Sequence, residues 1–212
     1  MPAVDAPLPL DSELADFYRR CGFGEVVGAR PCTVKVYTGC LLVPLPNIEA
    51  RHTYLKYHDL HHLITGYSVG RIGEGEVSAW ELGTGSMFVS PVLGTMNLIA
   101  LSTGLVLQRR RMWAAFRRGC ASRNLYPVVV RARVDAGAWR DVAALRADFL
   151  ESSPPRVPVA LRAVEFGAYA AAAMVIHFAI AGPAVVARLV TDIGLGMSVF
   201  EAVKPQKRAD LY

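Results

Sequence analysis

Two long stretches without a charged residue most constrain how this chain can fold. The first covers residues 82–108 and is followed at once by three arginines, and the second covers residues 166–187. Either stretch is long enough to cross a bilayer as a helix, and arginines often flank the cytoplasmic side of a membrane span. The first stretch also contains Pro91, Asn97 and Gly104, which suit a close-packed helix beside a ligand groove. Both arrangements are therefore open on composition alone.

The overall composition favours contact with lipids or small molecules. Of the 212 residues, 53% are hydrophobic and 19% are charged, so the chain buries an unusually large apolar surface or meets lipid. The net charge is +5, mostly from arginine clusters. These clusters lack the interleaved aromatic residues of nucleic-acid-binding modules. We therefore expect anionic lipid headgroups or an anionic substrate as partners, and no nucleic acid.

The cysteines and the N-terminus indicate a cytoplasmic protein. Four cysteines show neither C-x-x-C spacing nor the density of a disulfide framework, so we expect reduced thiols. The first residues include prolines and acids where a signal peptide would carry lysines and an apolar run. Export is therefore not expected.

Hydrophobic spacing and capping residues predict a mainly α-helical protein with one or two short β segments. The β-branched stretches are 33–43, predicted as a strand or extended arm, and 128–134, predicted as a short β-prone run. The first predicted helix starts at Asp11 or Ser12 and ends near Cys21, and the second runs from residue 48, after an Asn47 cap, to residue 65. A third starts near Gly73, and two further helices cover residues 112–120 and 138–149.

A linker divides the predicted architecture. Ser152, Ser153, Pro154 and Pro155 follow one another, as is typical of a connection. We expect a compact helical domain over residues 1–153 and an apolar helical extension, packed on it, over residues 154–212. Gly182 and Pro183 interrupt the second charge-free stretch, which predicts two packed helices. For His177, among apolar residues, we expect a backbone carbonyl partner rather than a metal.

A histidine-rich segment predicts a metal site on two adjacent helices. His58 and His62 are four residues apart, so on a helix their rings project from one face, with Asp59 at its edge. Glu74 follows a glycine-containing turn and can return to the same face. Nitrogen and oxygen ligands of this kind suit zinc, manganese, iron or cobalt. Glu81, two turns after Glu74, is expected to orient a ligand or to be an extra one.

The same residues resemble a known family. The pattern H-D-x-x-H, eleven residues, then E is similar to the metal-ligand motif of the coenzyme Q biosynthesis protein 4 family. The turn at residues 65–67 and Gly73 also resemble that family, with a weaker likeness through 117–119 and 123–126 to about residue 149. By this resemblance the chain is identified as a bacterial member with an extra apolar C-terminal segment.

The resemblance implies an enzyme of ubiquinone biosynthesis or of related natural-product metabolism. It implies a metal on His58, Asp59, His62 and Glu74, zinc before manganese, iron or cobalt, with Asp59 and Glu74 also catalytic. The expected reaction is a decarboxylation or hydroxylation of the ring of a prenylated quinone precursor or related natural product, by an enzyme of the lyase or oxidative-decarboxylase type. The expected substrate-binding residues are Tyr67, Trp80, Arg109 and Arg117. It also favours a peripheral protein on the inner face of the membrane, with a homodimer or a biosynthetic complex left open.

Other functions remain as alternatives. The first is a non-catalytic protein that binds a lipid or isoprenoid, or that organises a complex, with a structural metal. A metalloprotease of the H-E-x-x-H kind is disfavoured because Asp59 stands where that motif has its glutamate base. No Ser or Cys nucleophile motif and no phosphate-binding glycine loop is present, so nucleotide cofactors are not expected.

Overall fold

The computed structural model describes residues 9–22, 32–38, 41–152, 157–198 and 200. Helices dominate this part of the chain, which confirms the predicted fold class. The elements in chain order are α1 (Leu10–Cys21), β1 (Thr33–Thr38), β2 (Leu41–Pro46), α2 (Glu49–Thr65), α3 (Arg71–Gly83), α4 (Ser86–Val89), α5 (Pro91–Gly119), α6 (Val128–Asp135), α7 (Val142–Phe149) and α8 (Val159–Gly194). The two strands form an antiparallel hairpin.

Helices α3 and α5 form the centre of the fold. α5 bends at Gln108, whose φ of −151° and ψ of 62° are not helical. Both halves of α5 reach α3 as a result, since Gly104 before the bend and Met112 after it pack against Gly75. Near the other end of α3, a Cβ on Gly83 would lie 2.3 Å from the Phe116 carbonyl oxygen. The two backbones therefore meet without side chains between them.

The core extends from this pair to the other helices. α1 buries one face of three residues, Leu10, Leu14 and Phe17. α7 adds Val142, Leu145 and Phe149. A continuous apolar core thus packs against α2 and α3, and these two helices carry the residues of the predicted metal site.

Several sequence-based predictions of local structure were wrong. Residues 128–134, predicted as β, form α6, because Asp135 accepts hydrogen bonds from Tyr57 and Lys56 of α2 and fixes this segment against that helix. β propensity depends on context and is overridden by such contacts. The helix predicted from residue 138 begins only at Val142, because the Asp141 side chain accepts from the Ala144 amide as an N-cap.

Other boundaries moved by a few residues. α1 and α3 begin at Leu10 and Arg71, just before their predicted starts, and α2 has Ile48 rather than Asn47 at its N-cap. Residues 33–43, predicted as one strand or arm, hold β1 and the start of the second hairpin strand. Of the cysteines, Cys40 lies outside the described residues, and the other three are free thiols.

α8 is one helix of 36 residues, not the two predicted from Gly182 and Pro183. Pro183 is an exposed residue inside α8, and the helix continues through it although its amide donor is missing. Phe166 packs on Trp113 and Phe116 of α5. His177 pairs with the Ser102 hydroxyl at 3.2 Å rather than with a backbone carbonyl. The predicted boundary at residues 153 and 154 lies outside the described residues.

Candidate metal centre

The C-terminal half of α2 is held firmly at the point where it carries its histidines. Gly66 ends the helix in the left-handed conformation and its amide donates to the His62 carbonyl. Arg146 donates to the carbonyls of Leu63 and Ile64, and Arg118 donates to that of Thr65. The last carbonyls of α2, which have no partner within the helix, are thereby satisfied by two arginines.

The turn into α3 brings a glutamate back to these histidines. Gly70 caps α3, and Gly73 lies in its first turn against the Ser68 backbone. A Cβ on Gly73 would lie 1.8 Å from the Ser68 carbonyl oxygen, so only glycine fits. The close turn places Glu74 opposite the histidine face of α2, as the sequence predicted.

Three side chains converge on one point. Ligand atoms of His58, His62 and Glu74 all lie within 4.8 Å of one another, and this group could hold a metal ion. Nε2 of His58 is 3.4 Å from Oε2 of Glu74, and Nε2 of His62 is 3.6 Å from its Oε1. The predicted helical phase, with His58 and His62 on one face, is therefore confirmed.

The other nitrogen of each histidine is already engaged. Nδ1 of His58 lies 2.9 Å from Oε1 of Glu81, and Nδ1 of His62 lies 3.0 Å from the Tyr67 carbonyl oxygen. Because both oxygens only accept, each Nδ1 carries the proton. In the neutral rings each Nε2 then has a free lone pair directed at Glu74. Nε2 of His62 is buried and has no hydrogen-bond partner in the described part of the chain.

Glu81 is the centre of a buried hydrogen-bond network beneath this group. Its Oε1 accepts from Nδ1 of His61 at 2.7 Å and from the Tyr126 hydroxyl at 2.6 Å, in addition to His58. Nε2 of His61 accepts from the Leu125 amide at 2.9 Å. His61 is thus neutral and structural. Of the two roles predicted for Glu81, partner of a ligand or extra ligand, its contact with Nδ1 of His58 fits the first.

Burial and neighbouring charged groups have opposite effects on the pKa values of Glu74 and His58. Burial alone would raise the pKa of Glu74, but the two ligand histidines beside it, His62 foremost, hold it well below its usual range. Burial alone would lower the pKa of His58, but the Glu81 carboxylate and then Glu74 raise it well above the ordinary value. Without a metal, the raised pKa of His58 favours a charged ring between the Glu81 and Glu74 carboxylates.

Asp59 lies beside this group but does not join it. It is buried, and burial raises its pKa although both ligand histidines oppose the shift. Its hydrogen-bond partner is Tyr18 of α1. Burial and the charge of Asp59 in turn raise the pKa of Tyr18. Asp59 was predicted as a metal ligand, but the group of ligand atoms within 4.8 Å of one another does not include it.

The site is closed on one side and open on the other. The side chain of His62 is 1% exposed, and the ring of Phe17 is stacked against it at 6.2 Å. His58 is 21% exposed and Glu74 is 36% exposed. A ligand therefore has access along the edge formed by His58 and Glu74.

The four predicted substrate-binding residues have different surroundings. The Arg118 guanidinium lies over the Tyr67 ring at 5.6 Å from its centroid. Trp80 is completely buried and packs against His61, in the core below the site. Arg109 and Arg117 are exposed. Among the described residues neither arginine makes a hydrogen bond or ion pair with the three ligand residues, and their role stays a prediction.

Three residues of the site were not identified from the sequence. Tyr126 and Tyr18 are distant from α2 in the sequence, so no spacing pattern connects them to it. His61 had a visible signal, because it falls between Leu60 and Ile64 on the apolar face of α2, and all three are fully buried. A histidine at such a position needs buried partners.

Comparisons of the chain with protein-family models, with curated proteins and with solved structures found no match. The site must therefore be interpreted from its own geometry.

Proposed function

We propose that this protein is a metal-dependent enzyme that acts on a lipophilic small molecule. One observation carries the proposal: both ligand histidines donate from Nδ1, to Glu81 and to the Tyr67 carbonyl, and both direct Nε2 at Glu74. Metal-binding histidines commonly donate their second nitrogen to a carboxylate or carbonyl in this way. The orphaned, buried Nε2 of His62 fits a metal better than it fits a core histidine.

His58, His62 and Glu74 would hold the metal, and zinc is the first candidate, with manganese, iron and cobalt as alternatives. Three protein ligands leave at least one coordination position for a substrate, as in catalytic rather than structural zinc sites. The exposed edge at His58 and Glu74 supports the same conclusion, because a structural site would be closed.

The bound metal would supply Lewis-acid stabilisation of an anionic substrate oxygen. The reaction we propose is loss of a ring carboxyl group from a prenylated aromatic acid or a related molecule. The bond between ring and carboxyl carbon breaks, its electron pair stays on the ring carbon, and a proton takes the place of carbon dioxide. Asp59 is the group to hold that proton, because burial raises its pKa and Tyr18 fixes its position.

The substrate class rests on two further points. The H-D-x-x-H and E residues and the glycines between them resemble the coenzyme Q biosynthesis protein 4 family, whose substrates carry an isoprenoid tail. The exposed arginines Arg109 and Arg117 supply positive charge for a carboxylate or pyrophosphate group. We propose that the protein works at the inner face of the membrane, where such substrates are dissolved.

The metal is tested first, on the full chain purified without a metal-affinity tag. Inductively coupled plasma mass spectrometry should find about one transition metal per chain in the wild type. Glu74→Gln should lose it, whereas His52→Ala, a histidine change earlier on α2, should retain it. A wild type that binds none of zinc, manganese, iron(II) or cobalt would overturn the proposal.

Catalysis is tested with a carboxyl-labelled prenylated hydroxybenzoate in detergent micelles. The metal-loaded wild type should release labelled carbon dioxide, and Asp59→Asn should retain the metal but lose the release. Full metal retention without any turnover on such acids, together with a co-purifying lipid, would favour the non-catalytic lipid-binding alternative instead.

A further inference from the structure

α8 exposes apolar side chains where an ordinary surface helix exposes charged ones. Its outward-facing residues, three or four positions apart, are all apolar and exposed: Leu161, Val164, Ala168, Ala171, Val175, Phe178, Gly182, Val186 and Val190. This spacing defines one continuous stripe of a helix, which we call the outer face. A water-exposed helix would carry its charged residues there.

The charged residues of α8 are sheltered instead. Arg162 pairs with Glu165 at 2.5 Å, and Arg188 pairs with Asp192 at 3.2 Å. All four side chains are at most about a quarter exposed, whereas Val175 is 70% and Phe178 is 68% exposed. Charges neutralised within the helix and apolar residues turned outward are suited to a hydrocarbon environment rather than to water.

The opposite side of α8 already has a partner within the chain. Phe166 and Tyr169 pack on Phe116, Ala173 is fully buried, and His177 bonds Ser102. The most apolar window of α8 is nevertheless only 11% buried, against 44% for that of α5. Within the described residues, the rest of the chain thus covers much more of the apolar surface of α5 than of α8.

The length of the charge-free stretch of α8 and the charges beside it indicate that a lipid bilayer covers the outer face. The charge-free stretch of residues 166–187 extends about 33 Å at 1.5 Å per residue, close to the roughly 30 Å of a hydrocarbon core. Arg109, Arg110 and Arg117 are exposed on α5, the helix that α8 packs against. They can reach anionic headgroups while the outer face contacts acyl chains.

We propose that α8 anchors this protein in a lipid bilayer, with its outer face against the acyl chains and its inner side on α5. The anchor is independent of the metal site, since none of its residues belongs to that site. It gives the protein a fixed attachment to the phase in which a lipophilic substrate dissolves.

Flotation with vesicles tests the anchor on the full chain. Purified protein is transferred from detergent into vesicles of phosphatidylcholine and phosphatidylglycerol in equal parts and centrifuged through a sucrose gradient. The wild type should float with the vesicles, and high salt should not detach it because the main contact is apolar. The double variant Val175→Lys/Phe178→Lys should show at least about tenfold weaker partitioning, since each lysine must be transferred towards hydrocarbon.

The matched control uses another exposed apolar pair. Val128 and Val129 on α6 are 71% and 72% exposed, so Val128→Lys/Val129→Lys makes the same change at similar exposure. This control should float like the wild type. Circular dichroism and metal content, unchanged in both double variants, verify that each is folded.

A depth measurement does not depend on introduced charge. Phe178→Trp should lose fluorescence in vesicles whose lipids carry brominated acyl chains, and Val129→Trp should not. Equal detachment of both lysine variants, or no quenching at residue 178, would overturn the proposal. So would a wild type that is soluble without detergent as a dimer cross-linked through α8, because a second copy would then be the occupant.

Discussion

Oε1 of Glu81 lies 2.9 Å from Nδ1 of His58, so this buried carboxylate fixes the orientation of the His58 ring. Glu81 itself is not one of the three proposed metal ligands. Glu81→Gln should therefore weaken zinc binding by about 10- to 100-fold while all three ligands remain, because the acceptor of the His58 ring loses its negative charge. Competition with a chromogenic chelator measures this affinity. Glu76→Gln, on the same helix and paired with Arg111, serves as the control and should bind zinc like the wild type. Equal zinc affinity of Glu81→Gln and wild type would contradict the assigned role.

His61 should prove important for stability rather than for metal binding. It is completely buried between the Glu81 carboxylate and the Leu125 amide, and it points away from the ligand face. His61→Ala should lower the free energy of unfolding by about 3 kcal/mol, because it leaves a cavity and unpaired polar groups. Urea unfolding of the metal-free protein measures this loss.

The folded fraction of His61→Ala should still bind one equivalent of metal. His52→Ala, a change at a half-buried position on the same helix, should alter the unfolding free energy much less. Complete loss of metal from properly folded His61→Ala would mean that His61 itself is a ligand.

Gly119 should not tolerate a side chain. A Cβ at this position would lie 2.1 Å from the Trp80 carbonyl oxygen, a backbone atom that cannot move aside. Gly119→Ala should cost about 3 kcal/mol or more, because α3 and α5 must separate. Thermal unfolding gives the comparison. Gly167→Ala on α8, where nothing lies within 4 Å, should be neutral or slightly stabilising, since alanine is the better helix former.

Metal binding should release a proton near neutral pH. Burial by itself would lower the pKa of His58, but Glu81 and Glu74 raise it well above the ordinary value. A raised pKa means that Nε2 holds its proton below that pKa, so zinc must displace it and the apparent affinity must fall as the pH falls. Calorimetry in buffers of different ionisation enthalpy counts the released protons. Glu81→Gln lowers the pKa of His58 and should release fewer, whereas equal numbers would argue against this electrostatic coupling.

Local spacing was sufficient to predict the centre of the site. His58 and His62 are separated by one helical turn, and Gly73 permits the close turn into α3, so the meeting of these histidines with Glu74 follows from short-range rules. Glu81 was predictable as a partner for the same reason, because it lies two turns after Glu74 on one helix.

The surroundings of the site depend on contacts between distant segments, which spacing does not reveal. Tyr126 reaches Glu81 from the connection after α5, and Tyr18 reaches Asp59 from α1. The helical state of residues 128–134 likewise depends on the bond from Tyr57 to Asp135, whereas the β-branched residues alone favour a strand. α8 also continues through Pro183, where the local rule for proline predicts an interruption.

The bend at Gln108 has a consequence for local unfolding. Because both halves of α5 lie on α3, we expect the amides of α3 to exchange with solvent slowly, after α5 has come away on both sides of the bend. We therefore expect α3 to be among the last segments to unfold locally. A metal bound at Glu74 would leave by dissociating from its ligands at the exposed edge. Its residence time would therefore report the strength of the bonds to its ligands rather than the rate of local unfolding.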